Sequence, residues 1–290
     1  MSTQITTSFV EQYSSNVSML AQQMGSKLRG AVDVENIRGK NAFFDQIGVT
    51  AAQVRSSRHG NTPQINTPHS RRRVSLADYE WADLIDDQDK VRMLVDPTSN
   101  YAKAAAAAMN RAIDDVIIAA FDADAATGVA GGTTTALPSS SKFATSNQSD
   151  GMTIAKLRQA KFFFDNGSVD PSLKRFVVAG PKQIQDLLAT TEVTSADFNT
   201  VRALAAGEVS SFLGFEFIMS NRLSLDATNT DDRKCFAFTE DAIKLAIGKD
   251  VAAKITERAD KSYATQVYYC MSIGATRMEE EKVFLLPCNE

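Results

Sequence analysis

His59 and His69 are the only imidazoles in the 290-residue chain. Both lie in Arg55 to Arg73, a stretch that also carries Arg55, Arg58, Arg71, Arg72 and Arg73 with little that is apolar. Two histidines in a polar basic loop suit contact with solvent or a partner better than a metal or general-base role. Asp86, Asp87 and Asp89 have carboxylates enough for a divalent cation, but their spacing lacks the glycine and distal glutamate of a calcium loop. They read as a solvated acidic run. Ser139-Ser140-Ser141-Lys142 satisfies Ser-x-x-Lys formally, in a serine-rich loop with no helix to aim the hydroxyl. Phosphate-binding glycine loops and a Gly-x-Ser-x-Gly elbow are absent. Nothing assembles a nucleophile, base and orienting group, so the chain is expected to have no catalytic residue, cofactor or metal ligand. The competing reading, a soluble α/β enzyme, would need a pocket of convergent polar groups that the sequence does not point to.

The informative features are the elements themselves. Asp96 to Asp122 reads as one long helix, with Asp96 as N-cap, Pro97 at the first helical position and Ala104 to Ala108 of maximal helix propensity. About 26 residues at ~1.5 Å rise span ~39 Å, longer than most globular helices. Met109, Ile113, Val116, Ile117 and Ala120 form its packing stripe, with Lys103, Asn110, Arg111 and Asp114 expected largely off it. Upstream, Phe9, Tyr13, Val17, Leu20, Met24 and Leu28 recur at helical spacing over Ser8 to Leu28. This amphipathic helix precedes the main core and docks either on its own subunit or, as an arm, on a neighbour.

Val49 to Val54 begins an extended segment, and Val74, Leu76, Tyr79 and Trp81 alternate on the way back with a phase break near Ala77 and Asp78. These are expected to be antiparallel strands joined by the basic loop. A structureless connection of nearly 20 residues is unusual within a compact domain, and an isolated two-stranded ribbon is marginal in water. Its support should come from outside the subunit. The arginines either pair with acidic residues of another copy, among them Asp83, Asp86 and Glu279 to Glu281, or keep the loop soluble.

Ala125 to Asp150 reads as a surface loop with short strands; Thr153 to Asp165 is a second helix capped by Thr153, with Phe162 to Phe164 as a core cluster at its end. A mixed lobe follows. It comprises the strand Arg175 to Ala179, helices Pro181 to Ala189 and Asp197 to Ala206, and the strand Phe212 to Ser220 with a bulge at Gly214. Further strands are expected at Lys234 to Phe238, Ile243 to Ile247, Ala252 to Arg258, Gln266 to Met278 and Val283 to Leu286.

A net charge of −4 argues against bulk polyanion binding. Three widely spaced cysteines, Cys235, Cys270 and Cys288, make neither a disulfide framework nor a zinc pattern and suit a reducing compartment. No apolar run approaches the 18 residues of a membrane span, and MSTQITTSFVEQ lacks the features of a signal peptide, so no membrane contact is expected.

In order, ADLIDDQDKVRMLVDPTSNYAKAAAAAMNRAIDDVIIAAF (Ala82 to Phe121), TIAKLRQAKFFFD, RFVVAGPKQIQDLLATTEVTSADFNTV and GEVSSFLGFEFIMSNRL resemble the major capsid proteins of tailed double-stranded DNA bacteriophages. The resemblance covers most of the chain from Asp45 onward and carries no catalytic signature. It implies an α+β tailed-phage capsid fold: an N-terminal arm (1–48), an extended β-hairpin lying over a neighbour (49–90), and a peripheral domain (91–169 and 249–290) built on a spine helix at 97–123. An axial mixed α/β domain would occupy 170–248. The inter-subunit contacts expected on that reading are Phe9, Tyr13 and Val17 of the arm and Arg55, Arg58, His59, His69, Arg71, Arg72 and Arg73 of the hairpin. The function implied is self-assembly into hexamers and pentamers of an icosahedral head enclosing DNA. Portal and scaffolding proteins, a decoration protein and weak non-specific DNA contact are its implied partners, with assembly in the bacterial cytoplasm. Residues 1–48 are too short for the cleaved scaffolding segment some members carry. Some members also cross-link a hairpin lysine to a neighbour's asparagine, but Val49 to Asp89 contains no lysine, so that bond is not expected. A prokaryotic nanocompartment shell protein would share this architecture and enclose cargo enzyme instead.

Overall fold

A computed structural model of the chain describes residues 22–55, 57–62, 64–86, 98–143, 150–189, 211–226 and 231–290. Phe9, Tyr13, Val17, the cap Asp96-Pro97, Asp87, Asp89 and the helix expected at Asp197 to Ala206 lie outside them. The chain divides into two compact units. One takes Asp78–Ala112, Lys249–Ser272 and the segment up to Ser26; the other takes Lys27–Ala77, Ile113–Gly248 and Ile273–Glu290.

The larger unit holds two sheets and the aromatic core. β2 (Asn41–Ile47) and β3 (His69–Ser75) pair antiparallel, from Asn41 opposite Ser75 to Ile47 opposite His69. β3 continues the sheet through β5 (Ala125–Thr127) to β6 (Thr133–Thr135). The second sheet runs in the order β13 (Val283–Asn289), β10 (Asp232–Thr239), β7 (Arg175–Ala179), β9 (Phe215–Met219), β8 (Ser211–Phe212). Every residue of β7 is buried, as expected of an RFVVA strand flanked on both sides. Phe121, at the end of α1 (Thr98–Asp122), packs on this sheet, its ring 4.9 Å from Phe236 and 4.7 Å from Phe238. α2 (Ile154–Asn166) starts where the Thr153 side chain accepts the Lys156 N–H, and α3 (Pro181–Ala189) follows β7.

The smaller unit is a ribbon. β4 (Ala77–Ile85) pairs with β12 (Ala264–Arg277), which pairs with β11 (Ile243–Arg258). At their other ends these long strands enter the larger unit, where β1 (Asp33–Asn36) adds parallel to Lys244–Ile247 of β11.

Several expectations need correction. The outgoing hairpin strand is Asn41–Ile47, and residues 51–55 form no strand. The Gly48 N–H bonds the Pro68 carbonyl at 2.8 Å, and Pro68 has no N–H to return, so the ladder stops there. The phase break at Ala77 is a change of sheet: β3 and β4 belong to different sheets, and the unit boundary falls between Ala77 and Asp78. Ile243 to Arg258 is one strand, uninterrupted at Gly248. Phe212 to Ser220 holds no bulge; Leu213 and Gly214, both at positive φ (53° and 84°), make a two-residue hairpin turn between β8 and β9. The helix expected through Leu28 does not include Gln22 to Leu28. Phe162 is 68% exposed and not core, whereas Phe164 is fully buried.

Candidate assembly surface

The hairpin has a root and a tip, and they are built differently. At the root, Phe44, Val74 and Ala246 form a small apolar core with Ala42, Leu76 and Met278 packed against it. Arg72 points inward. Its Nη2 lies 2.7 and 2.8 Å from the two Glu280 oxygens and its Nε donates to the Met278 carbonyl at 2.9 Å. Arg277, fully buried, faces the same carboxylate with Nε at 3.6 Å. Arg277 Nη1 also donates to the carbonyls of Phe121 (2.8 Å) and Ala123 (2.9 Å), and its Nη2 to Thr135 at 3.0 Å. A guanidinium there satisfies carbonyls that the end of α1 leaves without helical partners and complements the helix dipole. Burial pushes the Arg277 pKa down, against the attraction of Glu280. One glutamate thus ties the hairpin root, the end of α1 and β12 together.

Two close approaches tighten this region. A Cβ on Gly274 would stand 2.4 Å from the Ser75 carbonyl oxygen, so β12 can pass β3 only with glycine there. Gly131 sits at φ +66° against the Arg73 side chain, whose Nη1 donates to the Ala130 carbonyl at 3.4 Å. Arg71 forms a half-exposed pair with Asp45 (Nε–Oδ1 2.5 Å) and lies over the Phe43 ring at 5.4 Å. The Arg71 hydrogen bond holds the Asp45 carboxyl below the usual range.

The tip has no such support. Every described residue from Ile47 to Ser70 is exposed, including Val49 at 99% and Val54 at 96%. Among the described residues Arg55 reaches the local Ser57 and Arg58 carbonyls, and Arg58, His59 and His69 are all exposed. Below the tip opens a cleft of about 750 Å³, lined by Gln46, Val49, Arg72, Phe163 and Glu279 to Glu281.

A second anchor joins Lys27 and Leu28, within the stretch expected to be the arm, to the helix. Asp114, expected off the packing stripe, is fully buried, and its carboxylate accepts the N–H groups of Lys27 and Leu28 at 3.1 Å. Next to it, Asp115 forms a two-pronged pair with Arg222, both contacts 2.5 Å. Within the smaller unit, Asn110 and Arg111 bond the Met24 and Gln23 carbonyls at 3.2 and 3.1 Å. The segment from Gln22 to Leu28 is therefore held along its own α1.

Sequence reasoning missed Arg277, Asp114 and Lys156. Lys156 is buried with Nζ donating to the carbonyls of Asp150 (2.7 Å), Gly151 (2.9 Å) and Pro287 (2.7 Å). Its position four residues before Ala160 and eight before Phe164 was the available sign of an inward-facing lysine. Of the motifs weighed for chemistry, Ser139–Ser141 is a 3-10 turn, with the Ser141 hydroxyl donating to the Glu280 carbonyl at 3.2 Å. Lys142 turns to Asp122 at 3.5 Å. Asp86 is exposed, and no cluster of three His, Cys, Asp or Glu among the described residues is arranged to hold a metal. No helix among those residues is long and apolar enough to cross a membrane.

A family model for phage capsid protein matches residues 5–290. The chain belongs to that family. This capsid protein also shares its fold with solved phage capsids. The capsid of cyanophage P-SCSP1u aligns at TM-score 0.77 and 16% identity, covering 99% of this chain and 94% of that one. The cyanophage Pam1 capsid aligns at 0.72 and 13%, covering 98% and 97%. The Mycobacterium phage Che8 structure aligns at 0.70 and 16%, covering 96% of each chain. No curated protein matches this sequence. The capsid protein is thus a self-associating structural component of a phage head, with the mixed α+β fold of its neighbours.

Proposed function

We propose that this capsid protein assembles into hexamers and pentamers of an icosahedral head around double-stranded DNA, and that the hairpin tip and the N-terminal arm are the clasps between copies. The observation that carries this reading is the tip: an apolar and basic segment, extended from a rigid root, whose valines have no burial within their own subunit. Covering two valines on a neighbour contributes about 1.5–3 kcal/mol each when burial is complete. Exposed arginine pairs add only ~0–1 kcal/mol each, so repetition of the contact around a closed shell must supply the rest. On this reading Arg55, Arg58, His59 and His69 touch the neighbour, while Arg71, Arg72 and Arg73 hold the strand that presents them. Phe9, Tyr13 and Val17 belong to the arm contact, and 170–248 to the axial domain around capsomer centres. The role is architectural, with no reaction to perform. Assembly takes place in the host cytoplasm with portal and scaffolding proteins, and a net charge of −4 suits confinement of DNA without tight adhesion. A decoration protein can add to the outer surface.

Electron microscopy of the purified protein, alone and from phage-producing cells, tests this. Capsomers or closed shells filled with DNA are expected. Shells filled with protein cargo would instead make it a nanocompartment, and a monodisperse monomer at high concentration would defeat the assembly reading altogether.

A further inference from the structure

On the ribbon of the smaller unit, Lys249 Nζ lies 3.0 Å from Cys270 Sγ. We propose that this pair is an oxidative modification site, at which a peroxide converts the Lys249–Cys270 contact into a covalent Sγ–Nζ bond between β11 and β12. The pair is the reachable one. Lys249 is exposed and Cys270 half-buried, while Cys235 and Cys288 are both fully buried.

The chemistry follows from the neighbours. The thiolate is the form that attacks peroxide, and a cation in hydrogen-bond contact is the partner that favours it. The same contact holds the Lys249 ammonium charged to higher pH than usual, chiefly through the Cys270 hydrogen bond. Around the pair, the Tyr268 hydroxyl donates to Glu80 at 2.9 Å and is pushed up to about 12, first by that bond, so it remains a neutral phenol. Ser272 bonds Asp78. Cys270 adds to the rise of the Tyr268 phenol and Asp78 adds its attraction to the Lys249 ammonium, so the sulfur faces a neutral phenol as well as its lysine partner.

In the first step Cys270 Sγ displaces hydroxide from the peroxide, giving a sulfenic acid and one water. The sulfur loses two electrons, which the peroxide O–O bond accepts. Lys249 Nζ then gives up a proton to solvent, which frees its lone pair. The amine then attacks the sulfenic sulfur, forming S–N and expelling the hydroxyl as a second water. Two equivalents of a thiol reductant return the thiol and the amine and leave one disulfide of the reductant. The product is a strand-to-strand staple within one chain, independent of whether the protein forms shells.

Treating the full-length protein with hydrogen peroxide and mapping proteolytic peptides by mass spectrometry tests the inference. The expected result is a peptide pair joined through Lys249 and Cys270 that disappears on adding dithiothreitol and is lost in both Lys249→Met and Cys270→Ser. Circular dichroism of the two variants should match the parent, because both side chains lie at the surface of the ribbon. Oxidation of Cys270 to sulfinic acid with Lys249 left free would overturn it. So would a Cys270 that stays reduced, or a joined peptide that persists in Lys249→Met.

Discussion

The root and the tip of one hairpin differ in what holds them within the subunit. Both carry arginines, and the nearest of these, Arg58 and Arg71, are 13 positions apart in sequence. At the root, Arg72 meets Glu280 beneath Arg277, and both guanidiniums are buried and multiply hydrogen-bonded. At the tip, Arg55 bonds local carbonyls, and the valines beside it are almost fully exposed. The same residue type therefore does opposite work in the two places. Inward, an arginine fixes a strand to the end of a helix; outward, it lies on the exposed segment that the proposed clasp would use.

Mutations can break this contrast, beginning with the largest expected effect. Arg277→Ala leaves the three carbonyls of Phe121, Ala123 and Thr135 without their donor and Glu280 with Arg72 as its remaining partner, and should cost ~3–5 kcal/mol of subunit stability, read as a collapsed urea midpoint or insoluble protein. Arg72→Met retains the packing volume and loses the charged hydrogen bonds, with an expected loss of ~1.5–3 kcal/mol. An unchanged urea midpoint for Arg72→Met would mean that the root does not depend on its ion cluster.

Acid should sharpen the same distinction. Burial raises the Asp122 carboxyl, but its bond to Lys234 at 2.6 Å and the nearby Lys142 outweigh that and hold it below its ordinary value. A depressed folded value contributes stability above the unfolded pKa of about 4 that is lost as pH falls through the folded value. The urea midpoint of the subunit is therefore expected to drop below about pH 4, and Asp122→Asn should flatten that drop. A profile for Asp122→Asn with the parent's full acid slope would assign the loss to other carboxylates.

The smallest effect on folding is expected at the tip. Val49→Ser with Val54→Ser should change subunit stability by no more than ~0.5 kcal/mol yet abolish shells in electron micrographs. Arg55→Ala with Arg58→Ala should do the same more weakly. If the valine pair assembles normally, the tip is not the clasp.

From the sequence, a triple change of Arg71, Arg72 and Arg73 is the natural test of assembly. The structure argues against it, because Arg72 is part of the fold and its loss would unfold the root before assembly could be measured.

The sequence alone determined what depends on local chemistry. Ala-rich helix propensity marked α1, Thr153 capped α2, and the strand Arg175 to Ala179 with the helix from Pro181 placed β7 and α3. The wording of Ala82 to Phe121 and the segments after it pointed to the family, and the polar, basic run after Val54 marked an exposed segment, although its end, His69 to Arg73, belongs to β3 and Arg72 is buried. Only the tertiary structure decided which charged side chains turn inward. Arg72 and Arg73 are adjacent letters of one type, and one faces Glu280 while the other lies on Gly131, because a strand sends successive side chains to opposite faces. Asp114 and Arg277 carry no local signature, since their partners are backbone groups far along the chain, Lys27 and Leu28 for the one and Phe121, Ala123 and Thr135 for the other. Strand limits moved for the same reason. A ladder ends where its partner runs out of donors, as at Pro68, and continues through Gly248 where a partner strand is there to pair with it.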